Sequence, residues 1–262
     1  MFYFGSETGL GMGAVSTTID AQGIAKICMS RPPVNALDVQ GWLELARALD
    51  TAGANPDVRV VVLHAEGRGF NAGVDIKEMQ ATAGFEALIG ANKGCYAAFK
   101  AVYECQVPVI AAVHGYCLGG GIGLVGNADI IIASEDATFG LPEVDQGALG
   151  AATHLARLVP QHKMRAMVYT AARATAQELH SWGSVLEVVP TDQLLQTAME
   201  VAAQIAEKRP RVVRAAKESL NGIDPIDVNK SYRFEQGFTF ELNLAGDGDA
   251  ARDAFVEEKA KK

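Results

Sequence analysis

Several features that mark particular classes of protein are scarce or absent in this sequence of 262 residues. Its four cysteines, Cys28, Cys95, Cys105 and Cys117, form no CxxC pair or regular framework, and a chain of this size needs no disulfides. No apolar run approaches the roughly 20 residues that cross a bilayer. The first residues lack the basic segment of a secretory signal. We therefore expect reduced thiols, a cytoplasmic location and no membrane span.

Basic residues are also few. The chain has 23 Lys and Arg against 31 Asp and Glu, which gives a net charge of -8 and a pI near 5.2. Because binding to a phosphate backbone needs a basic face, this balance argues against a nucleic-acid partner. An anionic ligand would have to be held by a few local cations. The 49% hydrophobic and 21% charged composition is typical of a folded globular protein.

Short apolar segments alternate with helical patterns along most of the chain. Strands are expected at residues 23–30, 107–114 and 129–134, and a helix should begin after the N-cap Asp38 and stop at Gly53. This alternation predicts an α/β fold with parallel strand pairing. From about Thr191 onward long helical patterns follow one another and predict a helical C-terminal region.

Two glycine-containing loops each follow a predicted strand. They are GRGFNAGVDIKEM at residues 67–79 and HGYCLGGGIG at residues 114–123. Glycine lets backbone N–H groups approach a ligand closely, and a following helix adds partial positive charge. Together the loops could supply two N–H donors to one developing oxyanion. Taken singly, each loop is better explained as a tight turn.

Six motifs in a fixed order resemble the enoyl-CoA hydratase and isomerase (crotonase) family. They are RPPVNAL, FNAGVDIKEM, PVIAAVHGYCLGGG, ADIIIASEDATFGLPEV, GSVLEVVP and AFVEEK, and they extend from about Ala21 to Lys259. The resemblance implies an α/β crotonase fold, with a spiral of ββα turns over residues 14–200 and a C-terminal helical trimerisation region over 201–262. Residues 1–13 are expected to be a disordered extension, with translation starting at Met12.

The same resemblance implies the site residues. Oxyanion-hole N–H donors are expected at Val74 and Gly120, and Glu143 in FGLPEV is the expected catalytic acid or base. Coenzyme A is expected to enter as part of a thioester substrate, with no permanent cofactor and no metal. The implied assembly is a homotrimer or a hexamer of paired trimers. The expected coenzyme A contacts are Asn35, Ala36, Asn71, Ala72 and the phosphate partner Lys259.

The chain departs from the hydratase pattern at one position. Hydratases have a second glutamate three residues after the middle glycine of GGG, where this sequence has Gly123. Hydration uses one group to activate water and another to deliver a proton, so a single glutamate disfavours it. Asp145 and His154 are candidates for a second group, and a packed helix residue is the alternative for His154. Glu235 and Glu241 are better explained as interface or helix-face carboxylates.

Within the family, the sequence resembles the actinobacterial crotonases that open a ring by hydrolysis in steroid (cholesterol) catabolism. Segments such as EGRGFNAGVDIKEMQ, GALGAATHL and EQGFTFELNLAG support this resemblance. The expected reaction is carbon–carbon hydrolysis of a cyclic β-keto acyl-CoA. The alternatives are an enoyl-CoA isomerase, an enoyl-CoA hydratase and a non-enzymatic acyl-CoA-binding or RNA-binding homologue.

Overall fold

The computed structural model describes residues 13–82 and 84–260, and the side chains at positions 255, 256 and 258–260 fall outside that description. Residues 1–12, on which most of the expected extension and the expected start at Met12 fall, lie outside it too. The strands are β1 (Val15–Ile19), β2 (Ile24–Met29), β3 (Val60–Ala65), β4 (Val109–Val113), β5 (Tyr116–Leu118), β6 (Ile130–Ser134), β7 (Thr138–Gly140), β8 (Arg173–Thr175) and β9 (Glu187–Val189).

The helices surround these strands. They are α1 (Val39–Ala54), α2 (Ile76–Ala81), α3 (Glu86–Tyr103), α4 (Gly120–Val125), α5 (Ala152–Leu155), α6 (Gln161–Thr170), α7 (Ala176–Ser181), α8 (Leu194–Ala206), α9 (Pro210–Gly222), α10 (Val228–Ala245) and α11 (Asp247–Ala260), with short 3-10 helices at Pro142–Gln146 and Thr191–Gln193. Among the described residues, no helix combines the length and apolar character needed to cross a membrane.

The strands form two sheets. The main sheet has the order β1-β2-β3-β4-β6-β9, in which β1 is antiparallel to β2 and the other neighbours are parallel. A smaller sheet has the order β5-β7-β8. Because β3 and β4 are parallel, with Val61 beside Val109 and Leu63 beside Ala111, their carboxyl ends lie at the same edge. The two glycine loops leave from that edge and are thereby brought together.

Apolar layers cover both faces of the main sheet. On one face, Val60, Val62 and Ile110 pack against Leu194 and Ala198 of α8. On the other face, alternate residues of the same strands join the larger core, which includes side chains of α1 and α3. Burial on both faces explains why β4 is wholly apolar and β3 is apolar except for His64, instead of alternating with polar residues.

The predicted strand at 23–30 is confirmed as β2, and Asp38 is confirmed as the N-cap of α1, since its Oδ1 accepts a hydrogen bond from the Gly41 N–H at 2.7 Å. The expected stop at Gly53 is wrong, because α1 continues through Ala54. A Cβ at Gly53 would lie 3.0 Å from Cys105 Sγ. Glycine at this position therefore permits close packing and does not end the helix.

The C-terminal helices pack back onto the same chain. α10 contacts α3 and α5, and α11 contacts the 3-10 helix at Pro142–Gln146. The boundary expected after residue 200 falls inside α8, whose buried side chains belong to the sheet core. A separate C-terminal helical region, and its part in oligomerisation, stay predictions.

Candidate active site

The two glycine loops meet at the carboxyl edge of β3 and β4. The Oδ1 atom of Asn71 accepts a hydrogen bond from the Gly73 N–H at 2.8 Å, and the Asn71 carbonyl accepts one from the Leu118 N–H at 2.9 Å. A Cβ built on Gly73, whose φ is +86°, would lie 3.3 Å from the Gly120 nitrogen. The loops are therefore in contact, and a side chain at Gly73 would come between them.

The peptide N–H groups of Val74 and Gly120 have no hydrogen-bond acceptor among the described residues. The Leu37 N–H donates to the Gly73 carbonyl and the Asp75 N–H donates to the Leu37 carbonyl, both at 2.9 Å, so the Val74 peptide is held on both sides. Gly120 is the first residue of α4, where an N–H has no intrahelical partner. Both residues line one cavity, and these free donors suit a developing oxyanion.

Glu143 lines the same cavity from the 3-10 helix that follows β7. Its Oε1 atom lies 2.8 Å from the position a Cβ on Gly119 would take, so the carboxyl group lies against the second glycine loop. Oε2 is buried and has no hydrogen-bond partner among the described residues. Burial raises the pKa of Glu143 to about 8, with a smaller contribution from the charge of Glu235. A carboxyl group with such a pKa can both accept and return a proton near neutral pH.

Position 123 has no space for a side chain. A Cβ on Gly123 would lie 2.2 Å from Cζ of Phe99, which projects from α3 and also lines the cavity. Phe99 is 2% exposed, and its ring meets that of Trp42 edge-on with centroids 5.7 Å apart. The second glutamate of the hydratase pattern is thus replaced by an aromatic ring packed from the opposite side.

The cavity has a volume of about 170 Å³ and mostly apolar walls. Its charged lining residues, within the part of the chain that the structure describes, are Glu143 and Arg252. Sequence reasoning missed Phe99, Tyr232 and Arg252 as cavity residues, because each lies in a helical pattern that indicates only ordinary packing. The remaining wall from α2, α3 and α10 includes Ile76, Met79, Leu88, Thr239 and Asn243.

Asn35 and Asn71 are buried and hold the loops in place. The Asn35 Nδ2 group donates to the carbonyls of Glu66 at 2.6 Å and Gly69 at 2.9 Å, and the Asn71 Nδ2 group donates to the Asn35 carbonyl at 2.7 Å. Their amide groups are therefore occupied within the chain. Their expected contact with coenzyme A, which would have to use other atoms or act through the loops, stays a prediction.

The other expected coenzyme A residues lie at different places. Ala72 lines the cavity beside Gly73. Ala36 is not among the lining residues, and its carbonyl accepts a hydrogen bond from Arg31 Nη1. Position 259 lies in α11, but the Lys259 side chain falls outside the described part of the structure.

His154 and Asp145 do not line the cavity. His154 is 1% exposed, and its Nδ1 atom lies 3.1 Å from Asn127 Oδ1. Its ring packs against Phe99 and Tyr232 with centroids 5.0 Å away in both cases. Burial lowers the pKa of His154 to about 3, so the ring is neutral and supports the cavity wall from behind. Asp145 is exposed on the 3-10 helix.

Glu235 caps a short helix beside the site. Its carboxylate accepts hydrogen bonds from the N–H groups of Ala152 at 2.9 Å and Thr153 at 2.6 Å, at the start of α5. Burial raises the pKa of Glu235 despite these bonds. Glu241 is exposed on α10. Neither carboxylate lines the cavity, which agrees with their interpretation as helix-face or interface groups.

The chain resembles known proteins over nearly its whole length. Residues 20–261 match the family described as enoyl-CoA hydratase/isomerase. The chain is 66% identical to a Rhodococcus jostii protein over 94% of this chain and 95% of the relative, and 65% identical to a Mycobacterium tuberculosis protein over 93% and 98%. Both relatives are named (7aS)-7a-methyl-1,5-dioxo-2,3,5,6,7,7a-hexahydro-1H-indene-carboxyl-CoA hydrolase.

Solved structures show the same fold. An enoyl-CoA hydratase/isomerase from Xanthobacter autotrophicus superimposes with a TM-score of 0.84 at 27% identity, over 95% of this chain and 94% of that chain. A Geobacillus kaustophilus structure described as an enoyl-CoA hydratase subunit gives a TM-score of 0.73 at 32% identity, over 94% and 95%. The crotonase fold expected from the sequence motifs is confirmed.

Proposed function

This chain belongs to the enoyl-CoA hydratase/isomerase family, and we propose that it hydrolyses a ring carbon–carbon bond of a cyclic β-keto acyl-CoA in steroid catabolism. The observation that carries the proposal is the composition of the cavity. Glu143 lines the same cavity as two free N–H donors, while Phe99 fills the space at Gly123. A hydratase needs a second carboxyl group to complete its proton transfers, whereas an enolate-forming cleavage needs one base and an oxyanion hole.

The names of the Rhodococcus and Mycobacterium relatives support this choice of substrate. They describe a bicyclic thioester with two ring ketones, because the printed substrate is a 1,5-dioxo-indene carboxyl-CoA. An identity of 66% over nearly the whole of both chains supports a substrate of the same class for this protein. Hydrolysis of such a ring would convert one ketone into a carboxylate.

In the proposed reaction Glu143 first takes a proton from water, and the hydroxide attacks a ring ketone. The bond between that carbonyl carbon and the neighbouring ring carbon then breaks. Its electron pair moves through conjugation onto the thioester oxygen, where the N–H groups of Val74 and Gly120 stabilise the negative charge. Glu143 returns the proton to carbon. One water is consumed, one carboxylic acid and one C–H bond are formed, and no redox partner is required.

Several finer features belong to the same proposal. Coenzyme A enters as part of the substrate and no cofactor is resident, with Asn35, Ala36, Asn71, Ala72 and Lys259 as its proposed contacts. A homotrimer or hexamer is supported by exposed apolar side chains on α10 and just after α9. Phe234 and Leu244 of α10 are 70% and 73% exposed, and Ile223 after α9 is 75% exposed. A cytoplasmic location is supported by the four free cysteines.

The reaction can be tested with a cyclic β-keto acyl-CoA in heavy-oxygen water, followed by mass spectrometry. We expect a product heavier by one labelled water, with the label in a new carboxylate, and little product from the Glu143→Gln variant. An isomerase also uses one carboxyl group beside an oxyanion hole. Its product would have the same mass as the substrate, and deuterium from the solvent would exchange next to the thioester. Turnover of crotonyl-CoA would indicate a hydratase, and binding of acyl-CoA without any turnover would indicate a scaffold.

A further inference from the structure

Arg252 lies between two cavities. Its side chain is only 12% exposed, and it lines both the cavity that contains Glu143 and an adjoining cavity of about 370 Å³. Met79, Leu88 and Asn243 also line both cavities, so the two spaces are neighbours across a shared wall. The helix α11 thus places an arginine on the boundary between the active-site cavity and its neighbour.

Among the described residues, the contacts of Arg252 leave some of its N–H donors without a partner. Its Nη2 group forms an ion pair with Asp249 one turn earlier, whose side chain is 74% exposed. Its backbone carbonyl accepts a hydrogen bond from Gln80 Nε2 at 3.3 Å, which ties α11 to α2. A guanidinium has five N–H donors and a carboxylate engages at most two of them in a bidentate pair. The other donors have no partner in the described part of the chain and can therefore bind a ligand in the cavity.

The charges around the second cavity indicate what kind of ligand fits. Its lining includes one cation, Arg252, and two carboxylates, Asp249 and Asp253, so these three residues sum to a charge of -1 among the described residues. The chain as a whole carries -8. This net negative lining would repel an acyl group with an anionic end. A neutral oxygen acceptor could accept hydrogen bonds from Arg252 and Gln80 without electrostatic repulsion.

We propose that Arg252 binds a ring ketone at the end of the acyl group remote from the thioester, and thereby selects acyl-CoA substrates that carry this second oxygen. The proposal rests on the proposed function for the placement of the thioester at Val74 and Gly120. Selection follows because an acyl group without the oxygen would displace water from the guanidinium and leave its donors unpaired. An apolar pocket alone would discriminate far less against a missing oxygen.

The test compares ligands that differ only in the remote ketone. The probes are 4-oxocyclohexanecarboxyl-CoA and cyclohexanecarboxyl-CoA, with the two corresponding cyclohexylacetyl-CoA thioesters as a longer pair. None has a β-keto bond to break, so binding is measured by calorimetry without turnover. We expect wild-type protein to prefer at least one ketone probe by roughly 10-fold, as a hydrogen bond from a charged donor implies. Arg252→Met should lose the preference and keep its affinity for the probes without the ketone.

Two further variants distinguish a specific hydrogen bond from Arg252 from a general loss of structure. Arg252→Lys keeps a cation and should retain part of the preference, whereas Asp249→Asn removes the ion pair and should retain all of it. Equal affinity of wild type for both members of both pairs would overturn the proposal, and so would equal loss in Arg252→Met and Asp249→Asn. A ketone preference without ring hydrolysis of any β-keto acyl-CoA would contradict the proposed function alone.

Discussion

The ring of Phe99 occupies the space into which a side chain at Gly123 would grow, with Cζ only 2.2 Å from the Cβ position. Phe99 is itself fixed by edge-on contacts with Trp42 and His154, at centroid distances of 5.7 and 5.0 Å. The absence of a second carboxylate is therefore built into the packing of α3 against α4. A single substitution at position 123 does not recreate a hydratase site.

Gly123→Glu tests this relationship. We expect it to lower the free energy of unfolding by about 1–3 kcal/mol through overpacking, and to confer no hydration of crotonyl-CoA. Gly222→Glu is the matched control, because Gly222 ends α9 and a Cβ there meets nothing within 4 Å. Urea unfolding measures both variants. Equal stability of Gly123→Glu and Gly222→Glu would mean that the Phe99 ring moves aside at little energetic cost and that position 123 can hold a side chain.

The double variant Phe99→Ala/Gly123→Glu tests whether the two positions are in direct contact. Phe99→Ala alone is expected to cost about 3–5 kcal/mol, since it opens a cavity in the core. Combined with Gly123→Glu it should cost less than the sum of the two single changes, because the new side chain enters the space that the ring has left. Strict additivity in urea unfolding would count against direct contact between the two positions.

Gly73→Ala tests the oxyanion hole. Gly73 and Gly67 have nearly the same backbone angle, φ +86° and +87°, but a Cβ at Gly73 lies 3.3 Å from the Gly120 nitrogen and one at Gly67 meets nothing within 4 Å. Both Ala variants should share the backbone strain. Loss of one donor to the oxyanion typically lowers kcat about 100-fold or more, so only Gly73→Ala should show that loss. Similar kcat values in the two variants would show that the N–H groups of Val74 and Gly120 do not stabilise the transition state.

The sequence predicted the parts of the site that lie in contiguous motifs. The loops around Val74 and Gly120, together with Glu143, were located because glycine and carboxylate patterns are local and the family motifs are specific. All three line one cavity. Parallel strand pairing was expected from the alternation of short apolar strands with helices, and the pairing of β3 with β4 is what brings the loops together.

The rest of the site depends on contacts between distant segments. Phe99, Tyr232 and Arg252 come from three helices whose patterns indicate only buried or surface faces, and nothing local says that those faces meet at Glu143. His154 is a candidate second group from the sequence because it is an ionisable residue where the family usually has glycine, and it could orient water or a ketone. The structure shows that the His154 ring is buried against Phe99 and Tyr232, so it supports the cavity lining from behind. Such relationships follow from tertiary packing, which single-sequence patterns do not specify.

Glu235→Gln should shift the pH dependence of activity. If Glu143 acts as the base, kcat/KM rises with pH through its pKa of about 8 in the free enzyme. The charge of Glu235 contributes to that raised pKa, so removing it should move the inflection to lower pH. Glu241→Gln on the same helix is exposed and should leave the profile unchanged. An inflection that stays in place in both variants would indicate that Glu235 does not act on the base.

Glu143→Gln should stabilise the protein at alkaline pH while it abolishes catalysis. Burial raises the pKa of Glu143 from 4.5 to about 8, so between these values the folded state keeps a proton that the unfolded state has lost. The free energy of unfolding of wild type therefore falls as pH rises across this window, and the penalty is complete above the folded pKa. At 1.36 kcal/mol for each pKa unit, the variant should gain at most about 5 kcal/mol there. Urea unfolding at several pH values measures this gain, with Asp145→Asn, an exposed residue of the same 3-10 helix, as control. A stability gap between Glu143→Gln and wild type that does not widen with pH would show that the buried carboxyl group is not destabilised in its charged form.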